Sequence, residues 1–158
     1  MNKYTMPISS NFVNLNDIIF LAQTDTTIGF LSKNKALINK AKGAKPSKEL
    51  LIEFASFKDL CYRTPTYFRV FIRRAKKTSF VLSKTRSFRV IMDSKHREFL
   101  KNVNYLYSSS ANPTSKGFDS EFAIKCADII VTDSRGLFSA KSSRILKVRG
   151  LRIKKIRH

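Results

Sequence analysis

The chain has 158 residues, 42% of them hydrophobic, with 13 Phe and 5 Tyr, which suits one domain burying about two-thirds of its unfolded surface. Its 31 Lys and Arg against 11 Asp and Glu leave a net charge of +20, a field that draws polyanions without selecting a fold. No apolar run approaches the roughly 18 residues of a membrane span, and no segment pairs a strong apolar face with a basic one over helical length, so nucleic acid is favoured over a membrane surface.

In chain order the patterns are mixed α and β, with no internal repeat. "DIIFLA" (17–22) is a short apolar run suited to a buried strand, and "TDTTIGF" (24–30) follows as a hydroxyl-rich turn or edge segment. "NKALINKAK" (34–42) sets Leu37, Ile38 and Ala41 on one helical face, with Asn34 as N-cap and Gly43 as the stop. "ELLIEFA" (49–55) predicts a strand, and 57–62 a short helix. "SFVLS" (79–83) and "SFRVIM" (87–92) predict a hairpin across "KTR". The region 67–89 reads as core on one face and solvated on the other, with aromatics stacking on RNA bases as the alternative.

"SKHREFLKNV" (94–103) predicts a helix capped by Ser94, burying Phe99, Leu100 and Val103 and exposing His96 between Lys95 and Arg97. "YLYS" (105–108) is a strand whose end opens into the loop "SSANPTSKG". "DSEFAIKCA" (119–127) predicts a helix behind the cap Asp119, with Phe122, Ala123 and Cys126 on one face. "DIIVTD" (128–133), "RILKV" (144–148) and "LRIKKI" (151–156) read as strands. The alternation predicts a single α/β domain over 1–158, a twisted mixed sheet with flanking helices and a basic C-terminal tail at 149–158. In such sheets ligands favour the loops beyond strand ends.

Cys61 and Cys126 are too far apart for a disulfide framework and read as buried, reduced thiols. His96 and His158 bear no ligand-like spacing to either, so no metal site is expected. "MNKYTMPISSNF" lacks the apolar segment of a signal peptide, and the expected location is cytoplasmic. No Walker phosphate loop, G-x-S-x-G elbow or G-x-G-x-x-G is present. The candidate chemistry lies instead in "QTDTTIGF" (23–30), "KGAKPSKELLI" (42–52), "SSSAN" (108–112) and "AKSSRILKV" (140–148), each placed at an element end.

That set resembles the YrdC-like family of L-threonylcarbamoyladenylate synthases over residues 17 to 148. "QTDTTIGF" matches the family's P-T-D/E-T-x-Y/F-G apart from Gln23 and Ile28, and "SSSAN" matches S-T-S-A-N with Ser109 for Thr. "ADIIVTD" and "KSSRILKV" echo the closing strand and P-S-T-V segment, and Arg89 stands at the arginine of V-R-x-P. Two departures stand out: Ala44 replaces the arginine of K-x-R, with Lys45 next in line, and "AKK" (75–77) replaces P-G-P.

The resemblance implies a twisted α/β sheet with a large basic cavity. It also implies condensation of L-threonine, bicarbonate and ATP, with Mg2+, into threonylcarbamoyladenylate, releasing pyrophosphate. A downstream tRNA threonylcarbamoyl transferase complex would then consume the product, and members have been associated with double-stranded RNA. Carried onto this chain, it implies Lys42, Ser110 and Asn112 as catalytic. Thr24, Thr26, Lys42, Lys48, Arg89, Ser108, Ser109, Ser110, Asn112, Ser142 and Ser143 would bind ATP and threonine.

Adenylate formation needs cations against triphosphate charge and fixed donors where charge develops, which suits lysines and hydroxyls. The bland readings are solvated lysines, strand threonines, and Arg89 as an edge gatekeeper. Residues 63–89 carry nine basic groups and 141–158 eight, with no acidic residue in either, so Arg73, Arg74, Lys76, Lys77, Arg152, Lys154 and Lys155 are expected to bind RNA beside the cavity. The alternative function is therefore a non-catalytic double-stranded RNA or tRNA-binding member of the same fold, and a third is a small basic ribosome-associated protein.

Overall fold

Apolar runs bounded by turn residues set where strands form. In the computed structural model, which describes residues 14–138 and 140–157, they build one mixed sheet. The strands are β1 (Phe20–Gln23), β2 (Ile28–Ser32), β3 (Leu51–Phe54), β4 (Thr78–Ser83), β5 (Arg86–Val90), β6 (Tyr105–Ser110), β7 (Ile129–Val131), β8 (Arg144–Arg149) and β9 (Arg152–Arg157). Their spatial order is β7-β1-β2-β6-β3-β5-β4-β8-β9. β1–β7, β3–β5 and β4–β8 pair in parallel, and the other neighbours are antiparallel. The helices α1 (Lys35–Ala41), α2 (Arg69–Arg74), α3 (Ser94–Lys101) and α4 (Ser120–Cys126) flank it. Among the described residues no helix is long and apolar enough to cross a membrane. The expectations for the N-terminal segment 1–13 and for His158 lie outside the described residues.

Local chemistry explains the elements that follow the sequence pattern. Asn34 Oδ1 accepts from the Ala36 amide at 3.0 Å to start α1, and Gly43, at φ +63°, ends it where a Cβ would be strained. Asp119 Oδ1 accepts from the Phe122 amide at 3.1 Å to start α4. The hairpin β4–β5 forms as predicted.

Several expectations are corrected. The cap of α3 is Asp93, whose Oδ1 accepts from the His96 amide at 2.9 Å; Ser94 is the first helical residue. The three serines belong to β6, because Ser108, Ser109 and Ser110 pair with Leu31, Phe30 and Gly29, and the loop begins at Ala111. Residues 24–30 are no edge: Ile28–Ser32 is a fully buried strand between β1 and β6. The basic C-terminal tail is part of the sheet: the strand expected over 151–156 forms at Arg152–Arg157, hydrogen-bonded to β8. Cys61 is exposed, not buried, Cys126 is half-buried, and both are free thiols. Helix α2 has no counterpart in the sequence reading, although Phe68, Ile72 and Ala75 recur at helical spacing and all enter the core.

The strand period of two then sorts the core. On one face Phe54, Phe80 and Phe88 pack with Ile72 of α2, and Leu21 and Phe30 pack with Ile38 of α1 and Ala123 of α4. On the other, Phe20, Leu31, Ile91 and Leu106 pack with Leu100 of α3. Burial of each such side chain stabilises the fold by about 1.5–3 kcal/mol. α3 is the main helix packed on this second face, and it covers only one end of it.

Candidate functional site

Beyond the reach of α3 the second face changes composition. Two residues along from Leu106 stands Ser108, and two back from Ile91 stands Arg89, so a small hydroxyl and a guanidinium replace core side chains. They leave space unfilled, and a cavity of about 280 Å3 results. Its lining includes Thr24, Thr26 and Thr27 from the β1–β2 turn, and Ser108, Ser109 and Ser110 from β6. Leu51, Ser79 and Arg89 add to it from β3, β4 and β5, Ser142 and Ser143 from the segment leading into β8, and Arg157 from the end of β9.

The turn is prearranged by its own hydroxyls. Thr24 Oγ1 donates to the Thr27 carbonyl at 2.7 Å and accepts from the Thr26 amide at 3.1 Å. Gln23, where the family pattern has Pro, donates its side-chain amide to the Thr24 and Thr26 carbonyls of the same turn at 3.4 and 3.5 Å, while its Oε1 accepts from the Phe138 amide at 2.9 Å. Gly29 suits this close approach, since a Cβ would sit 3.1 Å from Thr24 Cγ2 and 3.2 Å from the Ser109 carbonyl oxygen, both tight contacts. Across the cavity the Ser79 and Ser143 hydroxyls lie 2.9 Å apart.

Arg89 is no edge gatekeeper: β5 lies inside the sheet and the residue is 4% exposed. Its Nη1 donates to Thr26 Oγ1 at 3.0 Å and lies 2.9 Å from Asp25 Oδ1, an ion pair not aligned as a hydrogen bond. Its Nη2 donates to Glu53 Oε1, and Glu53 Oε2 lies 2.6 Å from His96 Nε2. His96 is thus buried against expectation, because α3 turns positions 96 and 100 inward while Lys95 points out. Burial acts to raise the Glu53 carboxyl, but Arg89 and then His96 hold it down at about 2. Asp25 is raised, by burial that outweighs Arg89. Two carboxylates therefore offset the Arg89 charge, while its Nε is buried and has no hydrogen-bond partner among the described residues.

Lys42, Lys48 and Asn112 do not line this cavity. The Lys42 ammonium is enclosed by the carbonyls of Ser110 and Asn112, with Asn112 Oδ1 at 3.4 Å, so it ties the end of α1 to the turn after β6. Burial and neighbouring Lys48 push it down to about 8. The Asn112 amide donates to the carbonyls of Pro113 and Lys116, and Lys48 is exposed.

Sequence reading missed Arg157, Glu53 and Asp25 as parts of this constellation. Arg157 forks onto the Ser143 carbonyl through Nε at 3.1 Å and Nη2 at 2.9 Å, and it has no carboxylate partner among the described residues. No motif could have found it; only the β8–β9 pairing brings residue 157 to 143. Among the described residues no group of three or more His, Cys, Asp or Glu could hold a metal ion.

No protein-family model matches the sequence, and no curated protein matches it. Solved structures do. MTH1692 of Methanobacterium thermoautotrophicum aligns over 89% of this chain and 79% of its own, with TM-score 0.64 and 16% identity. YciO of E. coli aligns over 89% and 82%, with TM-score 0.68 and 14% identity. P. abyssi Sua5, in a structure complexed with L-threonine, aligns over 87% of this chain and 49% of its own, with TM-score 0.62 and 16% identity. The fold is YrdC-like. This chain spans about half the length of that Sua5. On this YrdC-like sheet, the threonines of "TDTTIGF" and the serines of "SSSAN" and "KSS" meet at one cavity, whereas Asn112 and the lysines of "KGAKPSK" stand outside it.

Proposed function

We propose that this chain is a threonylcarbamoyladenylate synthase-like protein that binds ATP and L-threonine and condenses them with bicarbonate. The observation that carries this is the hydroxyl-walled cavity with Arg89 at its floor and Arg157 at its rim, on a sheet shared with a Sua5 bound to L-threonine. In this reading, Arg157 meets a ligand carboxylate or phosphate. Arg89, fixed by Asp25 and Glu53, sets the polarity of the cavity floor, and Thr24, Thr26, Ser108 and Ser142 orient the ligand's polar groups. Lys42 positions the Ser110–Asn112 turn rather than touching phosphate. Mg2+ enters with ATP as substrate, and the product passes to a downstream tRNA threonylcarbamoyl transferase complex in the cytoplasm.

Pyrophosphate release by the purified protein tests this. Release that requires both threonine and bicarbonate is expected, and none above background overturns catalysis.

A second reading, binding of double-stranded RNA or tRNA without catalysis, is favoured by one observation. The register places Lys147, Arg149, Arg152 and Lys154 on the cavity face of the sheet, in two facing rows along β8 and β9. Arg73, Arg74 and Lys155 fall on the opposite face, with α2. RNA affinity that falls steeply with salt, without turnover, would select this reading.

A further inference from the structure

The cavity is small for a nucleotide. Its 280 Å3 sits at the low end of the several hundred Å3 typical of ligand pockets, and of its two arginines only Arg157 is uncompensated. A triphosphate carries more charge than one guanidinium offsets. Ser142, however, also lines a second pocket of about 350 Å3, with Lys76, Lys77, Lys141 and Arg144, so the two pockets meet at that residue. None of these four cations has an ion-pair partner among the described residues. The nearest carboxylates, Asp25 and Asp93, face Lys76 and Lys77 across an adjoining pocket, but they are engaged by Arg89 and Arg135.

Arg144 and the backbone that carries Lys76 and Lys77 are held in place. Arg144 donates through Nε at 3.1 Å and Nη2 at 2.9 Å to Thr78 Oγ1, which itself donates to the Lys76 carbonyl at 2.7 Å. The Arg144 amide donates to the Lys77 carbonyl at 3.0 Å. Lys77 is thereby kept at φ +47°, a left-handed conformation that a lysine rarely adopts. The starts of β4 and β8, which run parallel, deliver all four cations to one end of the sheet.

We propose that Lys76, Lys77, Lys141 and Arg144 form a polyphosphate site, which takes the phosphate tail of a nucleotide whose remainder lies in the cavity. This rests on the nucleotide reading above and assigns the tail to residues outside the cavity. Uncompensated cations gathered at one end of the sheet recognise such a tail through its charge, and Arg144 meets it with its guanidinium already held.

The test is calorimetry at constant salt with ATP, AMP and inorganic tripolyphosphate. The exposed lysines are replaced together (Lys76→Ala, Lys77→Ala, Lys141→Ala), and the control is Lys58→Ala with Lys101→Ala. ATP and tripolyphosphate should each weaken by at least about tenfold in the first variant, with AMP unchanged, and the control should bind as the parent does. Unchanged ATP affinity in the triple variant overturns the site while leaving the nucleotide reading intact, and equal weakening in the control reduces it to a general field. Parent protein that binds tripolyphosphate through these lysines but no nucleotide keeps the site and sinks the nucleotide reading. Loss of duplex RNA binding with ATP binding intact overturns the assignment and gives the pocket to RNA. Failure to bind either ATP or tripolyphosphate overturns both.

Discussion

Glu53 is fully enclosed and charged, and the charge persists because Arg89 meets one oxygen and His96 the other. Glu53→Ala would leave the Arg89 guanidinium in a dry site with Asp25 alone, at a cost of about 3–5 kcal/mol, read as a fall in the urea midpoint. The pH dependence has a definite sign. The folded-state pKa, about 2, lies below the ordinary 4.5, so the stabilisation is complete above pH 4.5 and is lost as pH falls toward 2. Asp25, raised by burial, works in the opposite sense above 3.8, so Glu53→Gln is the comparison that isolates Glu53. Urea unfolding from pH 7 to 2.5 should show a steeper acid loss in the parent than in Glu53→Gln. The neighbouring prediction concerns Arg157, the cavity's unpaired cation. Arg157→Gln should weaken ATP binding about tenfold or more by calorimetry while leaving the unfolding midpoint nearly unchanged, because the side chain is exposed. None of this was legible locally. Lys95 and Arg97 made position 96 look solvated, and the partner of Glu53 lies 36 residues away.

Elements were read best where their ends carry their own chemistry. α1 and α4 announce themselves by Asn34 and Asp119, whose side chains cap the next turn whatever the rest of the fold does. α2 did not, because arginines at 69, 73 and 74 and the flanking aromatics obscured the Phe68, Ile72, Ala75 stripe. β2 shows what an element does for the site. It passes so close to β6 and the Thr24 turn that a Cβ at 29 would require its neighbours to give by a few tenths of an ångström. Gly29→Ala forces a side chain against Thr24 and the fixed Ser109 carbonyl, and should destabilise by about 1–3 kcal/mol in thermal unfolding and weaken any cavity ligand. At the core side of the sheet, Phe88→Ala removes a completely buried ring and should cost about 3–5 kcal/mol in the same measurement.

At the scale of the molecule the charge is segregated. No acidic residue stands between Asp59 and Asp93 or after Asp133, and the sheet order gathers β5, β4, β8 and β9 from those stretches side by side. An asymmetry along the chain becomes one in space. The rows on the cavity face should carry RNA contact if the second reading holds. Reversal of Lys147, Arg152 and Lys154 to Glu should then lower the log–log salt slope by about 2–3, while Lys155→Glu, on the other face, should change it by much less. Equal effects from both faces, in filter binding across a salt series, would reduce the interface to a diffuse basic surface.

By itself the sequence determined what depends on neighbours in the chain: the mixed α/β character, the caps at Asn34 and Asp119, the β4–β5 hairpin, and the excess of positive charge. Short-range hydrogen bonds and period-two alternation act over a few residues, so they can be read from a few residues. The tertiary structure alone decided that β6 runs through the serines, that residues 152–157 close the sheet, and that Lys42 serves the backbone carbonyls of Ser110 and Asn112. Each of these turns on a partner tens of residues distant, or on which of two similar polar groups reaches a buried acceptor first. Long-range pairing and burial, rather than local propensity, settle such contests.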